Sequence, residues 1–233
     1  MTARLAVPAL VLALFAAGCG SDKKKAPAKT TASTPATTTT AAAPATDDAG
    51  CEKVAAPKPR GAGKLKKPSL KLSASKPSTV TLTTNCGDIV IALDVKRAPK
   101  TASSFGALAK MGFFDDLTFH RILADFVIQG GDPLGNGQGG PGYNVVEKPP
   151  KDLRYTRGIV AMAKSNVDPP GASGSQFFIV TAQDAGLPPE YALVGKVKSG
   201  MATVNKIASE PVSGPEGSPL SPVIIKSASL SGG

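Results

Sequence analysis

The sequence predicts a mainly β protein in which short antiparallel strands close into a barrel, with a disordered tail before that domain. From residue 79 onward, short segments rich in β-branched residues alternate with clusters of Gly, Pro and Asn, which is typical of strands and turns. Only two segments, 99–111 and 200–207, have apolar residues at helical spacing. Residues 20–78 contain almost no large apolar side chains, so this segment cannot bury enough surface to offset the entropy of ordering.

The predicted elements follow one another along residues 79–233. The segment TVTLTTNCGDIVIALD alternates and predicts two strands joined by a turn at Asn85-Cys86-Gly87. Pro99 suits the first turn of the first helix, and Gly112 suits its end. Many short strands with one or two helices predict a closed antiparallel barrel. The predicted strands are 79–84, 88–94, 118–123, 126–130, 158–163, 176–181, 192–197 and 222–230.

The first 18 residues are predicted to be a signal peptide. Arg4 supplies a positive charge, and the apolar run that follows is too short to span a membrane comfortably. Cys19 then comes directly after small residues, and this FAAGC stretch resembles the lipobox of bacterial lipoproteins. The resemblance implies a lipid on Cys19, which would anchor the exported protein to the cell membrane, facing outside the cytoplasm. Cleavage by an ordinary signal peptidase is the alternative.

Residues 19–78 are predicted to form a lipid-anchored, low-complexity tether, which its prolines keep extended. Residues 20–78 hold 12 Lys and Arg against 4 Asp and Glu, whereas residues 79–233 hold 14 against 13. The basic character of the chain therefore belongs to the tail. A nucleic-acid-binding domain would carry basic residues on its own surface, so we expect no nucleic-acid partner. We expect instead a solvated tether that can contact anionic lipid or cell wall.

Cys51 and Cys86 are the cysteines that remain beside Cys19. Disulfides form in exported proteins, and one pair leaves no thiol over, so the sequence predicts a Cys51–Cys86 disulfide. Two unpaired cysteines are the alternative. With one histidine and no ligand spacing, the sequence predicts neither a metal site nor another cofactor.

Two glycine-rich stretches invite functional interpretations that their surroundings do not favour. GNGQGG at 135–140 fits a dinucleotide-binding pattern, but prolines flank it and no strand-to-helix context surrounds it, so a loop is expected. GASGS at 171–175 resembles a nucleophile elbow, but serine stands at its last position and no Asp–His pair completes a triad.

The stretch FHRILADFVIQGGD at 119–132 holds the single histidine of the chain beside an arginine. On an alternating strand, Phe119 and Arg121 would share one face, and His120 and Ile122 the other. A strand that exposes an arginine beside apolar side chains makes a shallow apolar groove with one cation. An ordinary surface arginine covering its own stem is the alternative.

This stretch closely resembles the signature of the cyclophilins, the peptidyl-prolyl cis-trans isomerases. The resemblance extends over about residues 79–230, through GDPLGNGQGGPGY, IVAMAKS, GASGSQFFI and LVGKV. It implies an eight-stranded, closed antiparallel barrel capped by two helices. It also implies a cofactor-free prolyl isomerase that acts on proline-containing polypeptide segments and assists the folding of exported proteins at the cell surface or in the periplasm. A module that only binds such segments, and a structural lipoprotein, are the alternatives.

The same resemblance implies the residues of the site. Arg121 would be the catalytic cation, and Gln129 would hydrogen-bond the substrate backbone. His120 would then be a packing residue on the opposite face. We expect the protein to be a monomer. The substrate groove would be lined by Phe126, Val127, Ala163, Gln176, Phe178, Leu187 and Tyr191.

Overall fold

The computed structural model describes residues 44–233, and one antiparallel sheet of nine strands organises them. Two further pairs of short strands and two helices complete the secondary structure of this part of the chain. The elements are β1 (Ser78–Thr84), β2 (Gly87–Leu93), α1 (Pro99–Lys110), β3 (Leu117–Thr118), β4 (Arg121–Leu123), β5 (Val127–Gly130), β6 (Val145–Val146), β7 (Ile159–Met162), β8 (Ala172–Ser173), β9 (Phe177–Val180), β10 (Leu193–Ser199), α2 (Met201–Ala208), β11 (Val212–Ser213), β12 (Ser218–Pro219) and β13 (Ile224–Gly232).

The nine strands lie in the order β3-β13-β1-β2-β10-β7-β9-β5-β4. The two outermost strands of the sheet, β3 and β4, are separated in the chain only by Phe119 and His120. The sheet must therefore curl strongly to bring its two edges together. The mainly β class and the two helices expected from the sequence are confirmed. The closed eight-stranded barrel is not confirmed, since the hydrogen-bonded order is linear and contains nine strands.

The ninth strand arises because the predicted strand 118–123 is broken in two. The Phe119 amide donates to Val223 O at 2.9 Å, and the Ile122 amide donates to Gly217 O at 2.7 Å. These bonds turn the backbone between β3 and β4, so the simple alternation of faces fails. Phe119 is fully buried in the same core as Ile122, and the expectation that it shares a face with Arg121 is wrong.

The core lies between the sheet and the first helix. Alternate residues of β1 and β2, such as Leu82 and Ile91, point inward and are fully buried. Pro99 begins α1, as expected, and Phe105 on its inner face packs edge-on against Phe177 with ring centroids 5.3 Å apart. Burial of such large rings dominates the stability of a core of this size.

The N-terminal segment 44–77 lies along the domain, which corrects the expectation of a disordered tether up to residue 78. The Glu52 amide donates to Asn85 O at 2.8 Å, the Arg60 amide to Pro133 O at 2.8 Å, and the Leu72 amide to Ser103 Oγ at 3.0 Å. The composition argument failed because it considered apolar burial only, whereas backbone hydrogen bonds and a covalent link hold this segment. The predicted signal peptide and the lipid on Cys19 lie outside the described residues. Within residues 44–233, no helix is long and apolar enough to cross a membrane.

The covalent link is the predicted disulfide between Cys51 and Cys86, which the structure confirms. The two Cα atoms are 4.2 Å apart, and the exposed fractions of the residues are 0% and 5%. The bond ties the N-terminal segment to the turn between β1 and β2 and closes a loop over a sequence separation of 35.

We predict that the double variant Cys51→Ser/Cys86→Ser lowers the free energy of unfolding by about 2–4 kcal/mol, because the unfolded chain regains the entropy of the open loop. Chemical denaturation of the wild type and the variant measures the difference. Wild-type protein reduced with an excess of a small thiol is the control and should lose a similar amount. Equal stability of oxidised wild type and variant would contradict the prediction.

Glu210 is a buried carboxyl group beside this disulfide. Its exposed fraction is 4%, and its carboxylate lies within 4.8 Å of both disulfide sulfur atoms. Burial, together with the neighbouring carboxylates of Asp47 and Asp48, raises the pKa of Glu210 to about 7. Folding therefore favours the protonated, neutral form of this side chain.

We predict that the wild type loses stability through this group as the pH rises from about 5 to about 8, because the folded pKa lies above the unfolded one. The stabilisation is fully present below the ordinary pKa of 4.5 and is lost as the pH passes about 7. Glu210→Gln, which stays neutral, should show a fall in Tm smaller by roughly 3–6 °C over this interval. Parallel Tm–pH curves for the two proteins would refute this assignment.

Candidate active site

The centre of the candidate site is a row of cross-strand neighbours. The register of β4 on β5 places Arg121 opposite Gln129, and the register of β5 on β9 places Gln129 opposite Phe178. Directly paired residues on adjacent antiparallel strands present their side chains on the same face. A cation, an amide and an aromatic ring therefore stand side by side, although 57 positions along the chain separate the first from the last.

A chain of hydrogen bonds orients the polar side chains. Arg121 Nη1 is 3.4 Å from Gln129 Oε1, and Gln129 Nε2 donates to Gln176 Oε1 at 3.1 Å. Gln176 Nε2 in turn donates to Gly137 O and Gly139 O, each at 2.9 Å. Each amide is thereby fixed in one orientation, with its donor and acceptor ends assigned by its neighbours.

The Arg121 guanidinium remains accessible. Its side chain is 30% exposed, and its one acidic neighbour within 4 Å among residues 44–233 is Glu216, at 3.9 Å. The Glu216 side chain is 85% exposed, so this ion pair is weak and can open when a ligand arrives. The cation is therefore available to a substrate that enters beside it.

Apolar side chains form the other half of the site. Val127 and Phe178 are 3% and 4% exposed, and their cluster includes Tyr155, which is fully buried. The Phe178 and Tyr191 rings meet edge to face with centroids 5.5 Å apart. The partly buried side chains packed against this cluster include Phe126, Ala163, Leu187 and Tyr191. The structure therefore brings together the apolar residues predicted from the sequence.

Two clefts open on either side of Gln129. The first, of about 450 Å³, is bounded by Gln129, Ala163 and Gln176 together with the glycine-rich loop. The second, of about 350 Å³, is lined by Arg121, Gln129, His120 and Glu216 among others. An extended chain lying across Gln129 would contact both clefts.

His120 lies on the Arg121 side, so the expectation that it packs on the opposite face is wrong. The break between β3 and β4 turns its ring toward the second cleft. Neither ring nitrogen has a hydrogen-bond partner among residues 44–233. Burial lowers the pKa of His120 below its usual value, with the Arg121 charge adding to this effect and Asp132 opposing it. The ring is therefore neutral near pH 7.

The family model of the cyclophilin type peptidyl-prolyl cis-trans isomerases matches residues 79–230. This match covers both helices, every residue of the site and the nine-stranded sheet apart from Ser78 at the start of β1 and the last two residues of β13. The chain belongs to the cyclophilin family. It is a peptidyl-prolyl cis-trans isomerase.

Individual cyclophilins agree with this assignment. The chain is 44% identical over 133 residues to peptidyl-prolyl cis-trans isomerase cypE of Dictyostelium discoideum, which covers 55% of this chain and 83% of that protein. It is 38% identical over 165 residues to peptidyl-prolyl cis-trans isomerase B of Streptomyces anulatus, covering 63% and 93%. A crystal structure of a Cryptosporidium parvum cyclophilin, determined in the presence of the dipeptide Ala-Pro, matches with a TM-score of 0.61 at 34% identity, covering 66% and 98%.

The two glycine-rich stretches have structural roles in this cyclophilin. GNGQGG at 135–140 is a loop after β5, as expected, and the buried Asp132 carboxylate accepts the amides of Leu134, Asn136 and Gly137. In GASGS, the serine at the nucleophile position is Ser173, whose hydroxyl is buried and donates to Val145 O at 3.3 Å. A hydroxyl engaged in this way is not an exposed nucleophile.

Two further side chains support the cyclophilin groove through contacts that were not predicted from the sequence. Tyr155 donates its hydroxyl to Tyr191 O at 2.6 Å and accepts the Tyr191 amide at 2.9 Å. Burial raises the pKa of Tyr155 to about 12, so the hydroxyl keeps its proton. Lys164 places its ammonium 5.7 Å from the centre of the Tyr191 ring and 3.5 Å from Glu190. Tyr155 lies 36 positions before Tyr191, and Lys164 lies 26 and 27 positions before Glu190 and Tyr191. No local pattern in the sequence therefore indicates these contacts.

We predict that Tyr155→Phe raises the KM for proline-containing peptides several-fold, because Tyr191 loses both hydrogen bonds that hold its backbone at the edge of the groove. Each lost hydrogen bond costs about 0.5–1.5 kcal/mol. Tyr143→Phe is the matched control, since the Tyr143 hydroxyl pairs with Ser104 at 3.0 Å, away from the groove. Equal KM values for the two variants would contradict the proposed role of Tyr155.

Proposed function

We propose that this isomerase acts on X–Pro bonds of exported polypeptides outside the cytoplasm, with Arg121 as its catalytic residue. One observation carries the assignment of Arg121. Arg121 is the accessible cation that the sheet register places beside Gln129 and the apolar cluster around Phe178. A neutral, half-buried His120 is less suited to proton transfer, and the reaction requires none.

The mechanism follows from the bond that is rotated. Resonance between the prolyl nitrogen and the carbonyl group opposes rotation with a barrier of about 18–20 kcal/mol. A guanidinium that donates a hydrogen bond to the prolyl nitrogen localises the lone pair on that nitrogen. This interaction is strongest when the amide is twisted, so it stabilises the transition state more than either planar isomer. Arginine suits this role, since its charge is permanent and its donors are rigidly arranged.

The other residues bind and orient the substrate. The apolar cluster, with Phe126, Val127 and Phe178, offers a surface for the proline ring, and Leu187 and Tyr191 border it. Gln129 and Gln176, already oriented by their own hydrogen bonds, would hold the peptide backbone beside Arg121, and Ala163 leaves space for the chain. The crystal structure of the Cryptosporidium parvum relative was determined in the presence of Ala-Pro, which supports a proline-containing substrate here.

Turnover distinguishes this proposal from a module that only binds proline segments. We predict that Arg121→Ala lowers kcat/KM by about 10²–10³, the cost of removing one donor aimed at the transition state. Its Tm should stay close to that of the wild type, because a partly exposed cation contributes little to stability. Protease-coupled cleavage of a proline peptide measures the rate. Arg97→Ala is the control, since the Arg97 side chain is 43% exposed and pairs with Asp94 away from the site. A folded Arg121→Ala protein with near-normal turnover would overturn the mechanism.

Export is supported by the signal-like N-terminus and by the buried disulfide, since structural disulfides are typical of oxidising compartments. We propose that Cys19 carries the lipid and that the protein acts as a membrane-anchored monomer. In cells, wild type should fractionate with membranes, and Cys19→Ser should appear in the soluble fraction. Soluble wild-type protein that has lost the signal segment and carries no lipid on Cys19 would instead support an ordinary signal peptidase.

A further inference from the structure

Residues outside the cyclophilin family match contact the glycine-rich loop that walls the active site. Three backbone amides of the N-terminal segment donate to this loop, residues 133–142, along its whole length. The Arg60 amide donates to Pro133 O at 2.8 Å, the Gly63 amide to Gly140 O at 2.9 Å, and the Leu65 amide to Pro141 O at 2.8 Å. We call these three residues, Arg60, Gly63 and Leu65, the brace.

The brace and the loop are in direct backbone contact. A Cβ atom on Gly63 would lie 2.7 Å from Gly140 O and from two backbone atoms of Pro141, a distance that real side chains do not tolerate. From the other side, a Cβ atom on Gly142 would lie 2.6 Å from Gly63 O. Glycine at both positions therefore permits the approach, and any side chain at Gly63 would push the loop away.

The brace is itself fixed to the domain. Besides its backbone bond, Arg60 donates from its guanidinium to Phe113 O, and the guanidinium carbon lies 5.8 Å from the centre of the Phe113 ring. On the N-terminal side, the Cys51–Cys86 disulfide holds the segment, and on the C-terminal side it runs into β1 at Ser78. The brace thus transmits the position of the sheet to the loop.

The loop needs such support because of its composition. It contains five glycines within residues 133–142, and Gly135, Gly137 and Gly142 have positive φ angles. Such a segment loses much conformational entropy when it is ordered. Asp132 holds its first half through the amides of Leu134, Asn136 and Gly137, whereas the brace holds Gly140 and Pro141 in its second half.

The loop in turn orients the active-site amides. Gly137 O and Gly139 O accept both bonds from Gln176 Nε2, and Gln176 Oε1 accepts from Gln129, the neighbour of Arg121. Gly139 and Gly140 share a peptide bond, so the carbonyl held by the brace is adjacent to one that holds Gln176. A continuous path of contacts therefore connects the brace to Gln129.

We propose that Arg60, Gly63 and Leu65 are positioning residues of the isomerase site, which preorganise Gln176 and Gln129 for the substrate backbone and so set the KM. The inference rests on the isomerase activity proposed for this site. Arg121 and the apolar cluster are positioned by the sheet, although Arg121 borders the same cleft as Gly135 and Gly137 of the loop. Disturbing the brace therefore affects substrate binding more than the rotation step.

The test compares Gly63→Val with Gly61→Val. Gly61 lies two residues away, and a Cβ atom there meets nothing within 4 Å among residues 44–233, so this variant controls for the change in the segment itself. With a series of proline peptides, Gly63→Val should raise KM about three- to tenfold and change kcat less than twofold, because only orientation is lost. Gly61→Val should match the wild type in both parameters.

Leu65→Pro provides a second variant, which removes the amide donor to Pro141 O and places the proline Cδ where the amide hydrogen was. Like Gly63→Val, it should raise KM, and its Tm should stay near that of the wild type. If Gly63→Val unfolds the domain, the KM of Leu65→Pro tests the proposal alone. Unchanged KM in folded Gly63→Val or Leu65→Pro would overturn the proposal, as would an equal rise in Gly61→Val. Wild-type turnover, measured first, separates failure of the brace from failure of the isomerase assignment.

Discussion

The site depends on the register of three adjacent strands, β4, β5 and β9. Because Arg121 faces Gln129 and Gln129 faces Phe178, a cation, an amide and an apolar surface are adjacent without any flexible element between them. A slip of one residue in β5 would turn Gln129 into the core and expose Ile128, which is fully buried. The core thus protects the geometry of the site, since any register that disturbs the site also exposes apolar surface.

The polar half of the site is held by a loop, whereas the apolar half is held by the sheet. The Phe178 cluster is held by packing on the sheet, whereas Gln176 depends on carbonyl groups of a loop that contains five glycines. This loop is held from within by one buried carboxylate, Asp132, and from outside by a segment that the family match does not include. The support of this loop therefore depends in part on residues outside the family match.

Local patterns in the sequence predicted most of the architecture, and distant contacts account for what they missed. Alternation and turn residues located β1, β2 and both helices, since these signals lie within a few residues of one another. The break at Phe119 was invisible, because it is imposed by hydrogen bonds to Val223 and Gly217, about a hundred positions further on. The resemblance supplied the groove residues. The contacts of Tyr155 and Lys164 were missed, since each acts on Tyr191, a partner far away in the chain.

The segment 44–77 shows why composition alone misleads. It is basic and poor in large apolar residues, and both features favour disorder. Its backbone nevertheless finds partners on the domain, and the covalent bond at Cys51 removes much of the entropy that ordering would cost.

The position of the disulfide also determines how the domain responds to mechanical load. A pull applied to the chain before Cys51 passes through the sulfur–sulfur bond to Cys86, and from there into the turn between β1 and β2. Both strands lie in the interior of the sheet order, where each is paired on two sides. Residues 52–85 form a loop that the disulfide closes. The force passes through the disulfide rather than along this loop, so residues 52–85 carry little of the tension. The contacts of Arg60, Gly63 and Leu65 with the active-site loop are therefore shielded from any force that arrives from the N-terminus.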